Sequence, residues 1–454
     1  MNLRAALRLH LCFAGLLTVS ATVTGQNATA DARDPAAAQS AGQDGNSNPS
    51  LSNATLQFVV VLSRHGTRSP ITEGSSINKF AAAPWPKWDV PPSYLTPHGY
   101  QAIKLFGIWD RANFARQGLF AATGCDDAAH VTIIADTDER TIETGKALAE
   151  GMFPGCTVEV HAQKEGTVDP LFRMVGGPHP GDEALAAAAI AGRIGGDPNS
   201  LTRALHPQLA AMDRVLAGCG HVDPLASKRT SIFDIPAKFG GSTAYSSAYS
   251  GPVTSAATFA ENFLLEYTTG MPDADVGWGC VDGAALRALM QLCSAGWDYN
   301  YRTRPVARMN AANMLDKIEK SLEQNVTGKP VAGALQKPGD RLLIIAGHDS
   351  NIAAAAGSLG INWIIDGRAD DTPPGGALLF EVWRPADGGK PFVRMEYTAQ
   401  TLEQMRHLQP LTKANRPAAA EIFVPGCSGT DESCTWESFA AAMQAAINPA
   451  YVLP

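Results

Sequence analysis

The chain is short of long apolar runs, of basic charge and of repetition. Its most apolar stretch, from Leu9 to about Val23, is too short and too mixed for a membrane span. Lys and Arg number 36 against 44 Asp and Glu, a net charge of −8, which argues against nucleic acid or an anionic membrane as partner. No internal repeat is visible, so a solenoid or propeller is excluded. Cysteine is sparse at eight residues, too few for a disulfide scaffold without a core.

What is present begins at the amino end. Arg4 and Arg8 precede the apolar stretch, and small residues follow toward Gly25 or Ala30, the pattern of a secretory signal peptide over 1–25. Residues 26–54 are rich in Ala, Asp, Asn, Ser and Gln without periodicity and read as a disordered leader. Cys12 lies inside the signal, where Leu9-His10-Leu11 does not suit a lipid anchor. Export leaves seven cysteines where disulfides persist.

Gln57-Phe-Val-Val-Val-Leu62 reads as a strand that runs into Arg64-His65-Gly66-Thr67-Arg68. Guanidinium forks match the oxygens of a phosphoryl group, and an imidazole set among them can attack phosphorus once the anion's charge is neutralised. Taken alone, this could equally be a solvated loop. Two further corners of the same build weigh against that: Val131–Ala135 entering Asp136-Thr-Asp138-Glu139-Arg140-Thr141, and Arg341–Gly347 entering His348-Asp349-Ser350-Asn351. In an open α/β sheet the ligand crevice lies beyond the carboxyl ends of the strands, where helix N-termini favour anions. The three corners are therefore expected to bring Arg64, His65, Arg68, Arg140, His348 and Asp349 to one phosphate, with Thr141 and Asn351 as caps or supports.

Arg64-His65-Gly66-Thr67-Arg68-Ser69-Pro70 with His348-Asp349 resembles the histidine acid phosphatases, branch 2 of the histidine phosphatase superfamily. Asp136–Thr141, Asp169-Pro-Leu-Phe172 and Asp371-Thr-Pro-Pro-Gly-Gly376 resemble its bacterial periplasmic phytase and glucose-1-phosphatase group. The resemblance runs from about Leu56 to the last cysteine pair. It implies His65 as nucleophile, Arg64, Arg68, Arg140 and His348 as phosphate ligands, and Asp349 as proton donor to the leaving alkoxide. It implies no cofactor. Asp136, Asp138 and Glu139 have no His or Cys at ligand spacing, so no metal site is expected. The expected partner is a small phosphomonoester substrate, and the protein is expected to be a monomer. Two bridges resemble those of the phytase group, Cys125 with Cys156 and Cys427 with Cys434; the pairing of Cys219, Cys280 and Cys293 stays open.

The fold expected is α/β: a discontinuous three-layer domain, 55–172 and 312–454, with a smaller all-α substrate cap over 173–311, a stretch rich in Ala, Leu and Met without strand-like runs. The substrate is harder to read. Ile71 stands where phytases carry a hydroxyl and then a cationic residue, and leans toward the sugar phosphatases. Asp371–Gly376 and Phe380–Arg384 resemble the phytase side, and Glu261 and Thr258 fall where phytases meet the inositol phosphate. Phytate is the favoured substrate, with a glucose-1-phosphatase-like or broad-range sugar phosphatase as alternative, and a phosphosugar-binding protein without turnover as the remote one. Lys79, Lys87 and Arg173 are candidate cations for the rim.

Overall fold

Residues 54 to 64 alternate two sets of apolar side chains, and in the computed structural model both sets are buried, one on each face of a sheet. The structure describes residues 53–71, 75–174, 179–220, 229–240 and 248–453; the expected signal peptide, nearly all of the expected leader, and Thr72 lie outside them. The strands are β1 Ala54–Arg64, β2 Val131–Ala135, β3 Val160–Ala162, β4 Leu342–Gly347, β5 Ala377–Pro385, β6 Phe392–Ala399, β7 Ala418–Ile422 and β8 Cys434–Thr435. They form one sheet in the order β7-β6-β5-β1-β4-β2-β3, with β8 also on β6. β1, β4, β2 and β3 are parallel, whereas β5, β6 and β7 are antiparallel additions.

Two helices, α1 Pro97–Arg116 and α2 Glu139–Met152, cover the face that carries Val59, Val61, Ile133 and Ile344. Thr96 starts α1, its Oγ1 accepting from Gly99 N at 2.9 Å, with Pro97 in the first turn. Gly99 is required there: a Cβ would lie 2.2 Å from the carbonyl oxygen of Thr67. That close approach seats α1 directly on the Arg-His loop.

Further along run α3 Pro252–Thr268, α4 Gly283–Asn300, α5 Arg304–Thr327, α6 Asp349–Leu359 and α7 Trp436–Ala446. The last three bury the other sheet face, where Phe58, Val60, Leu62, Leu343, Ile345 and Phe380 meet Leu315, Ile352 and Phe439. The result is three layers, helix on sheet on helix. The helical remainder has a core of its own, with Leu209, Met212, Phe259, Phe263, Leu286 and Met290 among its members. At about 25 cal/mol per Å² of apolar area removed from water, each such side chain contributes roughly 1.5–3 kcal/mol. Within this stretch the structure also has a two-stranded ribbon, Lys238–Phe239 with Tyr249–Ser250, that has no apolar run to announce it. The expected division between 311 and 312 falls inside α5.

Disulfides join Cys125 to Cys156 and Cys427 to Cys434, and Cys219 to Cys280. Cys293 is a buried free thiol. Among the described residues no helix is long and apolar enough to cross a membrane.

Candidate active site

β1, β4 and β2 are neighbours, so their carboxyl ends lie side by side: Arg64 is level with Gly347, and Ala135 with Ala346. The backbone then stitches the corners together. His65 N donates to Gly347 O at 2.9 Å, and Asp136 N to Ala346 O at 3.1 Å. Arg64, His65, Arg68, Arg140, His348 and Asp349 are all buried at this edge. Their burial follows from topology that no local run of sequence encodes.

His65 is held by its own loop. Its Nδ1 lies 2.9 Å from the carbonyl oxygen of Gly66, an atom that only accepts, so Nδ1 carries the proton and Nε2 keeps its lone pair. Gly66 N donates to Thr144 Oγ1 at 2.9 Å, which ties this loop to α2. Burial, and then the charges of Arg140, Arg68, Arg64 and His348, push the imidazole well below its ordinary pKa. A neutral imidazole with one free nitrogen is what a nucleophile in acid needs.

Arg64 links three elements. Its Nη2 lies 2.7 Å from Glu261 Oε1 on α3 and 2.9 Å from Asp349 Oδ2, and its Nη1 donates to Thr372 O at 2.5 Å. Burial works against the charged guanidinium, but Asp349 and Glu261 outweigh it and raise its pKa. Arg68 Nη2 also reaches Glu261 Oε1, at 2.7 Å. Arg140 bonds to Asp138 at 2.8 Å and to the Ser93 hydroxyl. The Nε–H groups of Arg64, Arg68 and Arg140 are buried with no acceptor among the described protein groups. Three buried spare donors at one sheet edge suit an oxyanion.

His348 faces His65 edge-on, ring centres 5.6 Å apart, and its Nε2 lies 2.7 Å from Asp136 Oδ2. Asp138 precedes α2 yet makes no side-chain cap bond; it turns to Arg140 and Arg173 instead. Asn351 and Thr141 are supports: Asn351 Oδ1 accepts from His348 N at 2.9 Å, and Thr141 Oγ1 donates to Asp136 O. Asp136, Asp138 and His348 have ligand atoms within 4.8 Å of one another, a His partner brought from a distant corner that spacing could not reveal. Their oxygens are already engaged by Arg140, Arg173 and His348, so the cluster is an ion-pair hub.

Glu261 pairs with Arg64 and Arg68, and with Thr254, Thr258, Trp297 and Asn300 lines a cavity of about 380 Å³ beside them. Among the described residues, no Lys or Arg lines that cavity. Ile71 is 56 % exposed at the surface. Of the rim cations, Arg173 joins the hub, Lys79 lies over the Phe80 ring, and Lys87 lines another cavity with His98 and Asp275.

A histidine set among guanidinium groups beside a carboxyl group on a mixed α/β sheet has the make-up of a phosphoryl-transfer site. The family model for the histidine phosphatase superfamily (branch 2) matches residues 55–188 and 244–398. Phytase AppA of Escherichia coli is 34 % identical over 380 residues, 82 % of this chain and 87 % of that one. A glucose-1-phosphatase of Salmonella typhimurium is 28 % identical over the same shares. The solved structure of Hafnia alvei phytase with tartrate superposes with a TM-score of 0.80 at 32 % identity, covering 88 % of this chain and 99 % of that one. The chain belongs to branch 2 of the histidine phosphatase superfamily and is a phosphatase.

Proposed function

We propose that this phosphatase is an exported acid phosphomonoesterase that hydrolyses phytate through a phosphohistidine on His65. The carrying observation is the His65 Nδ1 to Gly66 O bond, which leaves Nε2 as a lone pair among three buried arginines. Arg64, Arg68, Arg140 and His348 hold the phosphoryl oxygens and supply the positive field. Nε2 attacks phosphorus; the N–P bond forms as the ester P–O bond breaks, and the departing oxygen takes the proton of Asp349. Water then attacks the phosphohistidine, giving its proton to Asp349 and releasing phosphate. This scheme calls on no metal or cofactor.

The phytate reading is supported by the phytase relatives and by Glu261 at the wall of the adjoining cavity. Export is supported by the three disulfides. On this reading residues 173–311 form the substrate-side cap, and the enzyme works as a monomer. One observation favours the glucose-1-phosphatase-like alternative: a cavity lined by hydroxyls, an amide, Trp297 and the carboxylate of Glu261, with no cation among the described residues, suits an uncharged sugar better than a ring bearing further phosphates. Phosphate release from phytate and from glucose 1-phosphate, side by side across acidic pH, decides between them. Preference for glucose 1-phosphate would refute the phytate assignment, and release from neither would revive the binding-protein reading.

A further inference from the structure

We propose that Arg173 is a positioning residue, which by bridging Asp136 and Asp138 holds His348 and Arg140 against the transferring phosphoryl group. The inference rests on the phosphatase reading of the site. Arg173 Nε lies 3.2 Å from Asp136 Oδ2, and its Nη2 lies 2.6 Å from Asp138 Oδ2. The same Asp136 oxygen takes His348 Nε2 at 2.7 Å, and the same Asp138 oxygen takes Arg140 Nη2 at 2.8 Å. One guanidinium therefore braces two phosphate ligands, each through one carboxylate.

The backbone braces the same corner by a second route. Residues 169–173 form a turn in which Asp169 Oδ1 accepts from Leu171 N at 2.9 Å, and Arg173 N donates to Asp169 O at 3.0 Å. Phe172 O accepts from Asn351 Nδ2 at 2.8 Å, and Asn351 Oδ1 holds His348 N. Arg173 thus leaves a segment that is itself pinned to the start of α6. Its fork needs a planar group with two donors; an ammonium at that distance satisfies one carboxylate at a time.

The chemical consequence runs through His348. A ring that donates Nε2–H to Asp136 can also donate to a phosphoryl oxygen only from Nδ1, which requires the imidazolium and hence an ionised Asp136 beneath it. Asp136 is fully buried; burial alone would raise its pKa, but the His348 bond and charge, Thr137 N and Arg173 together hold it below the ordinary value. The charged groups around it are His348, Arg173, Asp138, Arg140 and Asp169. Without Arg173, Asp136 takes up its proton at a higher pH and His348 loses its counter-charge sooner on acidification.

The test is kcat and KM of the full-length protein on p-nitrophenyl phosphate between weakly and strongly acidic pH, for wild type, Arg173→Gln and Arg173→Lys. Arg173→Gln should lower kcat about tenfold with KM within about threefold, and move the acid limb up by roughly half to one pH unit, modest because Arg173 is half exposed. Arg173→Lys should return the limb partway toward wild type and recover kcat only in part. If Arg173→Gln fails to fold, the Arg173→Lys profile decides alone. A raised KM with kcat and limb unchanged would make Arg173 a direct substrate ligand and overturn the proposal. So would superimposable profiles from an active wild type. A wild type that releases no phosphate would overturn the phosphatase reading and this inference with it.

Discussion

Glu261 Oε1 lies 2.7 Å from Nη2 of Arg64, so a carboxylate from α3 rests on the guanidinium at the end of β1. The same oxygen also takes Arg68 Nη2. A phosphate dianion entering the clamp meets that negative charge at two of its three arginines. Glu261→Gln keeps an acceptor in place and removes the charge, and should tighten competitive inhibition by inorganic phosphate about three- to tenfold. Unchanged or weaker inhibition would mean that Glu261 aligns the arginines more than it competes with the ligand.

Asp349 is close enough to Arg64, at 2.9 Å, to sit beside any phosphoryl group held there. Asp349→Asn removes the proposed proton donor and leaves the shape. Hydrolysis of alkyl phosphates should fall about 10²- to 10⁴-fold, whereas aryl phosphates, whose leaving groups depart unprotonated, should fall much less in the phosphorylation step. Burst kinetics on both substrates separate that step from hydrolysis of the intermediate. Equal losses in the burst would remove Asp349 from the role of acid.

Away from the site, three carboxyl groups are pushed up to about 8, each mainly by burial: Asp110 on α1, Glu266 on α3 and Glu396 on β6. Glu396 is level with Glu421, and Arg394 beside it on β6 pairs with Glu421 at 2.9 Å. Below the ordinary carboxyl range these groups are protonated in both folded and unfolded chains. Between about 4 and 8 the folded chain binds more protons, so stability falls as pH rises through that window. Asp136, held low, acts in the opposite sense and only in stronger acid. Thermal unfolding should come roughly 2–6 °C higher near pH 5 than near pH 7.5. A higher midpoint at pH 7.5 would contradict these shifts.

Gly99 tests how the loop is seated. A Cβ there would press on Thr67 O, backbone against backbone, with no flexible side chain to yield. Gly99→Ala should destabilise the fold by about 2 kcal/mol and, by shifting Thr67, lower activity beyond what unfolding explains. Wild-type stability and turnover would show that α1 adjusts freely.

The gathering of Arg64, His65, Arg140, His348 and Asp349 was legible because three strands run straight into those residues, and the apolar runs Phe58–Leu62, Ile133–Ala135 and Leu342–Ala346 mark where those strands end. The order in which the strands lie was not legible from the runs themselves. That Asp136 and Asp138 join His348 and Arg173 in one cluster was not legible, because spacing along the chain says nothing about His348, more than two hundred residues away, or about Arg173 across the corner. The ribbon 238–239 with 249–250 escaped notice because two-residue strands carry no period. Cysteine spacing gave no choice among Cys219, Cys280 and Cys293; the fold brings the first two together and buries the third.

The proposed phosphohistidine route requires a covalent bond between phosphorus and Nε2 of His65. Mixing Asp349→Asn with an aryl phosphate, quenching in alkali to preserve phosphohistidine, and sequencing the peptides by mass spectrometry measures it directly. A phosphoryl group is expected on His65, with none in His65→Ala. A phosphoryl group on His348, or full turnover by His65→Ala with no adduct anywhere, would contradict it.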